Sequence, residues 1–210
     1  MIPKDSSQCG KWDDFYVENP TLPYDGWLEL HLSRFPAGKD FVLDLGCGNG
    51  VNLPFLVRHA KKVWACDKSR EAIRIVQRNF SVEAILLDMR QGLPYPDRQF
   101  DRIVADLSLH YFSLVETRKI AGEMARVLKN DGLVLARLNS VRDVLHGSGV
   151  GKEIESNFYE NEGYRKHFFD EDEIQNCFAQ SFEVRQAEEK LSYRYGEEKI
   201  LWEVVMRVRR

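Results

Sequence analysis

The sequence predicts an α/β fold, a mostly parallel sheet with helices on both faces. Short apolar runs alternate with helix-like patterns between residues 41 and 138, the signature of a parallel sheet wound with helices. The first of these runs, Phe41 to Leu45, turns through three alternating glycines (Gly46, Gly48, Gly50) into a helical stretch. The chain then closes on two long runs, Phe182 to Lys190 and Ile200 to Val208, joined by a turn around Gly196.

The totals set limits on this picture. With 210 residues the chain is long enough for one domain with a substantial core, and a single domain over 1–210 is expected. Apolar residues at 43% and charged residues at 30% are ordinary for a soluble globular chain. A net charge of −3 argues against a nucleic-acid partner. No run reaches the roughly 18–20 apolar residues of a membrane span, and Met1 to Ser7 lacks the apolar centre of a signal peptide. Cys9, Cys47, Cys66 and Cys177 are scattered, without a C-x-x-C pair or histidines at ligand spacing. Reduced thiols, no metal site and a cytoplasmic location are therefore expected.

Residues 1–39 form an N-terminal arm and helix. The arm is aromatic (Trp12, Phe15, Tyr16, Tyr24, Trp27), and Pro20 and Pro23 interrupt it. Beyond them, Tyr24 to Phe35 reads as a helix with Trp27, Leu28, Leu30 and Leu32 as its apolar residues. The arm either buttresses the core or folds over a ligand cleft. Residues 40–140 form the core. After the glycine turn, Val51 to His59 is helical, with Pro54 early enough for its missing N–H to be tolerated. Lys62 to Cys66 is the second strand and ends at Asp67; Ser69 then suits the N-cap of a helix from Arg70 to Phe80. Glu83 to Leu87 is the third strand, followed by Asp88 and Met89, and a proline-ruled turn leads to the fourth, Arg102 to Asp106. Ser113-Leu114-Val115-Glu116 is a capping box. The helix it starts carries Ile120, Met124, Val127 and Leu128 on one face and is expected to end at Gly132, before a fifth strand from Leu133 to Leu138.

From 141 to 167 the periodicity dissolves. The segment reads either as a plain loop or as a substrate lid containing Phe158, Tyr159, Tyr164 and Arg165. Gly147 to Lys152 is not a phosphate loop, because its glycines are one residue too close and Glu153 stands where Ser or Thr must hold magnesium. Residues 168–210 are a C-terminal helix, opened by Asp170 to Glu173, and the closing hairpin, with Arg207, Arg209 and Arg210 as a solvated strand end.

A strand that turns through glycines into a helix brings bare backbone N–H groups near a ligand. Dinucleotide-binding chains want G-x-G-x-x-G/A there, but the sixth position here is Val51. Val42-Leu43-Asp44-Leu45-Gly46-Cys47-Gly48-Asn49-Gly50 instead resembles the first motif of the class I S-adenosylmethionine (SAM)-dependent methyltransferases. Gly92-Leu93-Pro94-Tyr95-Pro96-Asp97-Arg98-Gln99-Phe100-Asp101 independently resembles a run found in their small-molecule and ubiquinone-type members. The Asp-Leu-Gly-Cys-Gly-Asn-Gly turn and compact tail are similar to the tellurite-resistance type as well. The resemblance implies a Rossmann-like, doubly wound, seven-stranded sheet with an antiparallel C-terminal hairpin, SAM as cofactor, and methyl transfer to a small-molecule acceptor.

The resemblance also implies site roles. Asp44 and the turn Gly46, Cys47, Gly48, Asn49 and Gly50 would hold the methionine end of SAM. Asp67, followed by Lys68, would hold the ribose, since two carboxylate oxygens suit vicinal hydroxyls; its alternative reading is a helix N-terminal acid. Asp88 and Met89 would contact the adenine, and Tyr16 is the expected contact from the arm. Ligands in open parallel sheets lie beyond the carboxyl ends of strands at the switch point, which would bring Asp106, Ser108, His110 and Tyr111 near the reacting methyl. His110 is the candidate general base, because its ordinary pKa lies near neutrality; otherwise it is a structural residue at a helix start. No N-P-P-Y-type tetrapeptide follows the fourth strand, where Ala105-Asp106-Leu107-Ser108 stands, which disfavours methylation of base or amide nitrogens. The alternatives are a catalytically silent SAM-binding module, a methyltransferase acting on a macromolecule, and an NAD-dependent oxidoreductase, which Val51 disfavours.

Overall fold

The computed structural model describes residues 6–194 and 196–209, with side chains from residue 10 onward. The expectations for Met1 to Asp5, the Cys9 thiol and Arg210 lie outside the described residues. Helix α1 (Ser6–Glu18) leads to a 3-10 helix over Trp27–Arg34. Strand β1 (Phe41–Leu45) is followed by α2 (Leu53–His59), β2 (Lys62–Asp67), α3 (Arg70–Asn79) and β3 (Glu83–Leu86). Next come β4 (Phe100–Asp106), α4 (Leu114–Val127) and β5 (Leu128–Asn139). Three short strands follow, β6 (Lys152–Glu155), β7 (Phe158–Asn161) and β8 (Tyr164–His167), and then α5 (Glu171–Phe178), β9 (Phe182–Ser192) and β10 (Lys199–Val208).

The main sheet has seven strands in the order β3-β2-β1-β4-β5-β10-β9. β1 to β5 are parallel, and β10 runs antiparallel to both of its neighbours. This is the doubly wound, Rossmann-like arrangement with a C-terminal antiparallel pair. The chain reverses its winding between β1 and β4, so the carboxyl ends of those strands flank the crevice. Alternation along the strands divides the core. Leu43, Leu45, Ile103 and Ala105 pack with α4 and α5 through Ile120, Met124, Ile174 and Phe178. Val42, Val63, Ala65 and Val104 pack on the other face, under Trp27, Leu56 and Val76. By that same period of two, Asp44, Asp67 and Asp106 share a face with Val42, Ala65 and Val104.

Local chemistry fixes several boundaries as the sequence suggested. Ser69 accepts from the Ala72 N–H to cap α3, and both Ser113/Glu116 and Asp170/Glu173 form complete capping boxes. Three expectations need correction. The segment before β1 is a 3-10 helix over Trp27–Arg34; it buries Trp27, Leu28 and His31 while Leu30 stays 73% exposed and Leu32 is exposed too. Helix α4 stops at Val127, where Leu128 already has extended dihedrals, and Gly132 lies inside β5. Within 141–167, β6, β7 and β8 form an antiparallel three-stranded sheet. Four-residue strands with polar residues on both faces leave no apolar rhythm for a sequence reading to find. Among the described residues, no helix is long and apolar enough to cross a membrane.

Candidate active site at the ends of β1 and β4

A cavity of about 390 Å³ opens at the carboxyl ends of the central strands. Its first end is the glycine turn. Gly46 and Gly48 both have left-handed φ, 76° and 53°. A Cβ at Gly46 would land on the Ser108 side chain, and one at Gly48 would meet the Tyr16 hydroxyl at 2.5 Å. Only bare backbone lets the turn lie this close to both neighbours. The Asp67 carboxylate braces it, accepting from the Gly48 N–H at 2.9 Å and from the Ser69 N–H at 2.8 Å. Burial pushes Asp67 upward, and those two amide bonds work against the push.

The arm touches both the core and the cavity. On α1, Asp13 accepts from the Ser69 hydroxyl at 2.6 Å and from the Glu71 N–H at 3.1 Å, tying the arm to the start of α3. Trp12, Phe15 and Tyr16 meanwhile line the cavity. Lys11 donates to the Glu162 carbonyl and stacks 4.7 Å from the centre of the Tyr164 ring, joining α1 to the small sheet. The cavity is therefore roofed from two directions.

The sequence-derived residues are not all equivalent here. Tyr16, Gly46, Cys47, Gly48, Asn49, Asp67, Lys68, Asp88, Met89, Asp106 and His110 line the cavity; Asp44 and Gly50 do not. Gly50 packs inward, where an added Cβ would meet Leu53 at 2.9 Å and Phe80 at 3.0 Å. Asp44 is fully buried behind the turn, with no hydrogen-bond partner for either oxygen among the described residues. Burial first, then the Asp106 and Asp67 carboxylates, push Asp44 well above the usual range. Asp88 caps the short turn Met89–Gln91 and holds Arg90 at 2.6 Å. Burial would raise it, but the Arg90 hydrogen bonds and charge prevail and hold it low.

Asp106 is held by basic groups that a linear reading does not reveal. Its oxygens accept from Arg137 Nε at 2.7 Å, Arg194 Nη1 at 2.6 Å and Asn52 Nδ2 at 3.2 Å. Burial opposes ionisation, yet Arg137 and then Arg194 hold Asp106 ionised far below the usual range. Arg137 continues to Asp25 at 2.6 Å and lies 4.7 Å from the centre of the Trp27 ring. One signal was available: an arginine in the otherwise apolar Leu133–Leu138 run, where a buried strand admits a charge only with a partner.

The far end of the cavity carries His110, Tyr111, Asn139, Tyr164, Lys166 and Lys199. His110 is 2% exposed, and its Nδ1 has no partner among the described residues. Burial, followed by the charges of Lys199 and Lys166, drives its pKa well below the ordinary value, so the imidazole is neutral at pH 7. Of the four residues assigned to a lid, only Tyr164 faces the cavity. Phe158 is buried against His167, Tyr159 lies beside Phe168, and Arg165 pairs with Glu160 outside. Strand alternation explains the exchange, because β8 presents 164 and 166 together and turns 165 away.

Residues 42–132 match the methyltransferase-domain family. Over those residues the chain carries a methyltransferase domain, in line with the class I SAM-dependent resemblance of its motifs. Over 178 residues it is 27% identical to the tRNA N(3)-cytidine methyltransferase METTL2 of Mus musculus, covering 77% of this chain and 46% of that protein. The chain thus spans less than half the length of this curated relative. Among solved structures it is similar to the PH0226 protein of Pyrococcus horikoshii OT3, with a TM-score of 0.74 at 22% identity over 93% of this chain and 99% of that one. It is similar also to the Burkholderia thailandensis 1,6-didemethyltoxoflavin-N1-methyltransferase, with a TM-score of 0.67 at 20% identity over 98% and 85%. That enzyme was crystallised with 1,6-didemethyltoxoflavin and S-adenosylhomocysteine.

S-adenosylmethionine is the methyl donor of the superfamily, and the residues present fit it. The turn is a cradle that a Cβ at Gly46 or Gly48 would fill, and Asp44 is an orphaned carboxyl directly behind it. Among the described residues, no cluster of His, Cys, Asp and Glu could hold a metal ion.

Proposed function

We propose that this chain transfers the methyl group of SAM to a small molecule seated at the His110 end of the cavity. The observation supporting this reading is that Gly46–Asn49, Asp67, Asp88 with Met89, and Ser108, His110 and Tyr111 line one roofed cavity. When bound, SAM supplies a methyl on a sulfonium whose leaving group is a neutral thioether, so positioning alone can provide much of the acceleration. Asp67 would hold the ribose hydroxyls with the lone pairs left beyond its two amide bonds. Met89 and the Asp88 segment would hold the adenine, and the backbone of Gly46–Asn49 the methionine end, with the Asp44 carboxyl behind it. Tyr16, Lys68 and Cys47 would close the cofactor end. Asp106, already held by two arginines, would keep the cavity wall rigid. His110, neutral and aimed at the acceptor end, would accept a proton only from an acidic acceptor.

Two features favour a small molecule. The roof of α1 and β8 limits access, and the small sheet with its connecting turn exposes Glu153, Glu155 and Glu162, which repel a phosphodiester chain. The likeness to the mouse tRNA methyltransferase supports a second reading, transfer to a tRNA cytidine; incorporation of labelled methyl into tRNA, with none into small molecules, would select it. Calorimetric titration tests the core of the proposal. SAM and S-adenosylhomocysteine should both bind, and Asp67→Ala should weaken each by ~1–3 kcal/mol, the value of a hydrogen bond to a charged group. Binding of neither to folded protein overturns the proposal. Release of S-adenosylhomocysteine across a broad acceptor panel separates an enzyme from a silent binding module.

A further inference from the structure

The two ends of the cavity differ in how their charges are matched. At the first end the Asp67 and Asp88 carboxylates line the wall beside Lys68, and Asp88 is paired with Arg90. Around the other end, among the described residues, the Asp106 and Asp143 carboxylates are already spent on cations. Asp143 takes the Lys199 ammonium at 2.6 Å, the His146 Nδ1 at 2.8 Å and the Ile200 N–H at 3.3 Å. Asp106 takes Arg137 and Arg194. Among the described residues at this end, Lys166 stands apart from these pairs. Lys166 is half-buried, lines the cavity, and has no carboxylate within ion-pair distance among the described residues. Burial lowers its pKa, while Asp143, too distant to pair, works in the opposite sense.

Two further groups at this end want partners. His110 Nδ1 and Asn139 Oδ1 are buried without hydrogen bonds among the described residues, on side chains 2% and 1% exposed. An unmatched ammonium and two unmatched polar atoms are costly inside a wall unless a ligand or water answers them. The remaining wall is aromatic. Tyr111 lies 4.9 Å and Tyr164 6.0 Å from Trp12, and the tilted His110 ring 4.2 Å from Tyr111, ring centre to ring centre. Such a surface suits a flat, unsaturated body. Lys166 and Tyr164 reach the site together because they share one face of β8, which packs on the Leu109–Tyr111 turn.

We infer that the methyl acceptor is a small planar molecule bearing an anionic group, carboxylate or phosphate, and that the Lys166 ammonium is the counter-charge that selects it. The inference rests on the methyltransferase reading and deepens it. Lys166 is here a specificity-determining residue supplied by the small sheet, and the acceptor's body lies between Tyr111 and Tyr164.

The test uses protein saturated with S-adenosylhomocysteine and matched probes, 4-hydroxybenzoate against 4-hydroxybenzamide and phenyl phosphate against phenol, titrated into wild type, Lys166→Met and Lys166→Arg. In wild type one or both anionic probes bind about tenfold more tightly than their neutral partner, as one charge-assisted contact predicts. The pair that shows the preference tells carboxylate from phosphate. Lys166→Met abolishes the preference, Lys166→Arg keeps it, and S-adenosylhomocysteine affinity stays within about twofold throughout. Thermal melting of each variant shows that the fold is kept. No preference in wild type, no binding of any anionic probe, or a preference that survives Lys166→Met overturns the inference. So does a loss of S-adenosylhomocysteine affinity in Lys166→Met, because Lys166 would then serve the cofactor's own carboxylate. Failure of S-adenosylhomocysteine to bind wild type is a separate result that removes the methyltransferase reading; the anion preference is then read on the free protein.

Discussion

Asp44 shows how one residue can be legible in type and hidden in circumstance. A carboxylate between hydrophobic residues before a glycine turn is visible in the sequence, but its lack of any hydrogen-bond partner among the described residues is not. Burial and two neighbouring carboxylates raise its pKa, so the protonated form is favoured in the folded protein. The sign follows directly. Below the unfolded value the acid costs nothing extra; as pH rises through the folded value, stability is lost because a buried charge is forced. Asp44→Asn should therefore raise the melting temperature at neutral and alkaline pH, with the gain shrinking under acid conditions. If Asp44 serves the cationic methionine end, the same variant should weaken SAM binding about tenfold. A variant that melts higher and binds SAM unchanged would make Asp44 a structural acid only.

At the scale of elements, the small sheet is the part the sequence concealed, and one histidine governs it. His167 at the end of β8 is fully buried, with its ring 4.3 Å from Phe169 and 5.7 Å from Phe158. Burial lowers its pKa to about 4, although Glu155 and Asp170 pull the other way and Glu173 Oε1 lies 3.5 Å from Nε2. A depressed histidine contributes its stability above the unfolded value near 6.5 and loses it as pH falls through 4. Acidification from about pH 6.5 to 4 should thus cost up to ~3 kcal/mol and open β6–β8 first. Hydrogen exchange on residues 152–167 reads this opening, and His167→Phe should remove the pH dependence. Exchange rates in that window that stay flat in wild type would refute the assignment. The end of α4 carries a related lesson: Val127 and Leu128 fit the helical apolar face, but pairing of Phe100 with Leu128 draws the chain into β5 early.

Across the whole molecule, the ion network around Asp106 joins parts of the chain that no local pattern connects. Arg137 on β5 bridges Asp106 on β4 to Asp25 before the 3-10 helix, and Asp25 also accepts from the Ser192 hydroxyl at 2.9 Å. Arg194, beyond β9, reaches the same Asp106. Asp106→Asn would leave two buried guanidinium groups short of a counter-charge, and breaking a buried pair in this way costs ~3–5 kcal/mol. Denaturant unfolding should show that loss at pH 7. Because Asp106 ionises far below the usual range, wild type keeps this contribution above the unfolded carboxylate value and gives it up only as pH falls through the much lower folded value. Removal of less than ~1 kcal/mol would mean that the arginines find solvent instead.

The sequence by itself determined the order and type of the main elements, the glycine turn, the helix caps and the carboxylates at the strand ends. These depend on contacts within a few residues: a φ that only glycine tolerates, a hydroxyl reaching an N–H three residues on, a period of two in a buried strand. Only the tertiary structure decided which of those carboxylates faces the cavity, that Asp106 is matched by Arg137 and Arg194, and that Lys166 rather than Arg165 reaches the His110 end of the cavity. Charge pairing and burial are properties of neighbours in space. Here those neighbours are separated by 31 residues for Arg137 and Asp106, 88 for Arg194 and Asp106, and 112 for Arg137 and Asp25, distances over which no sequence period survives.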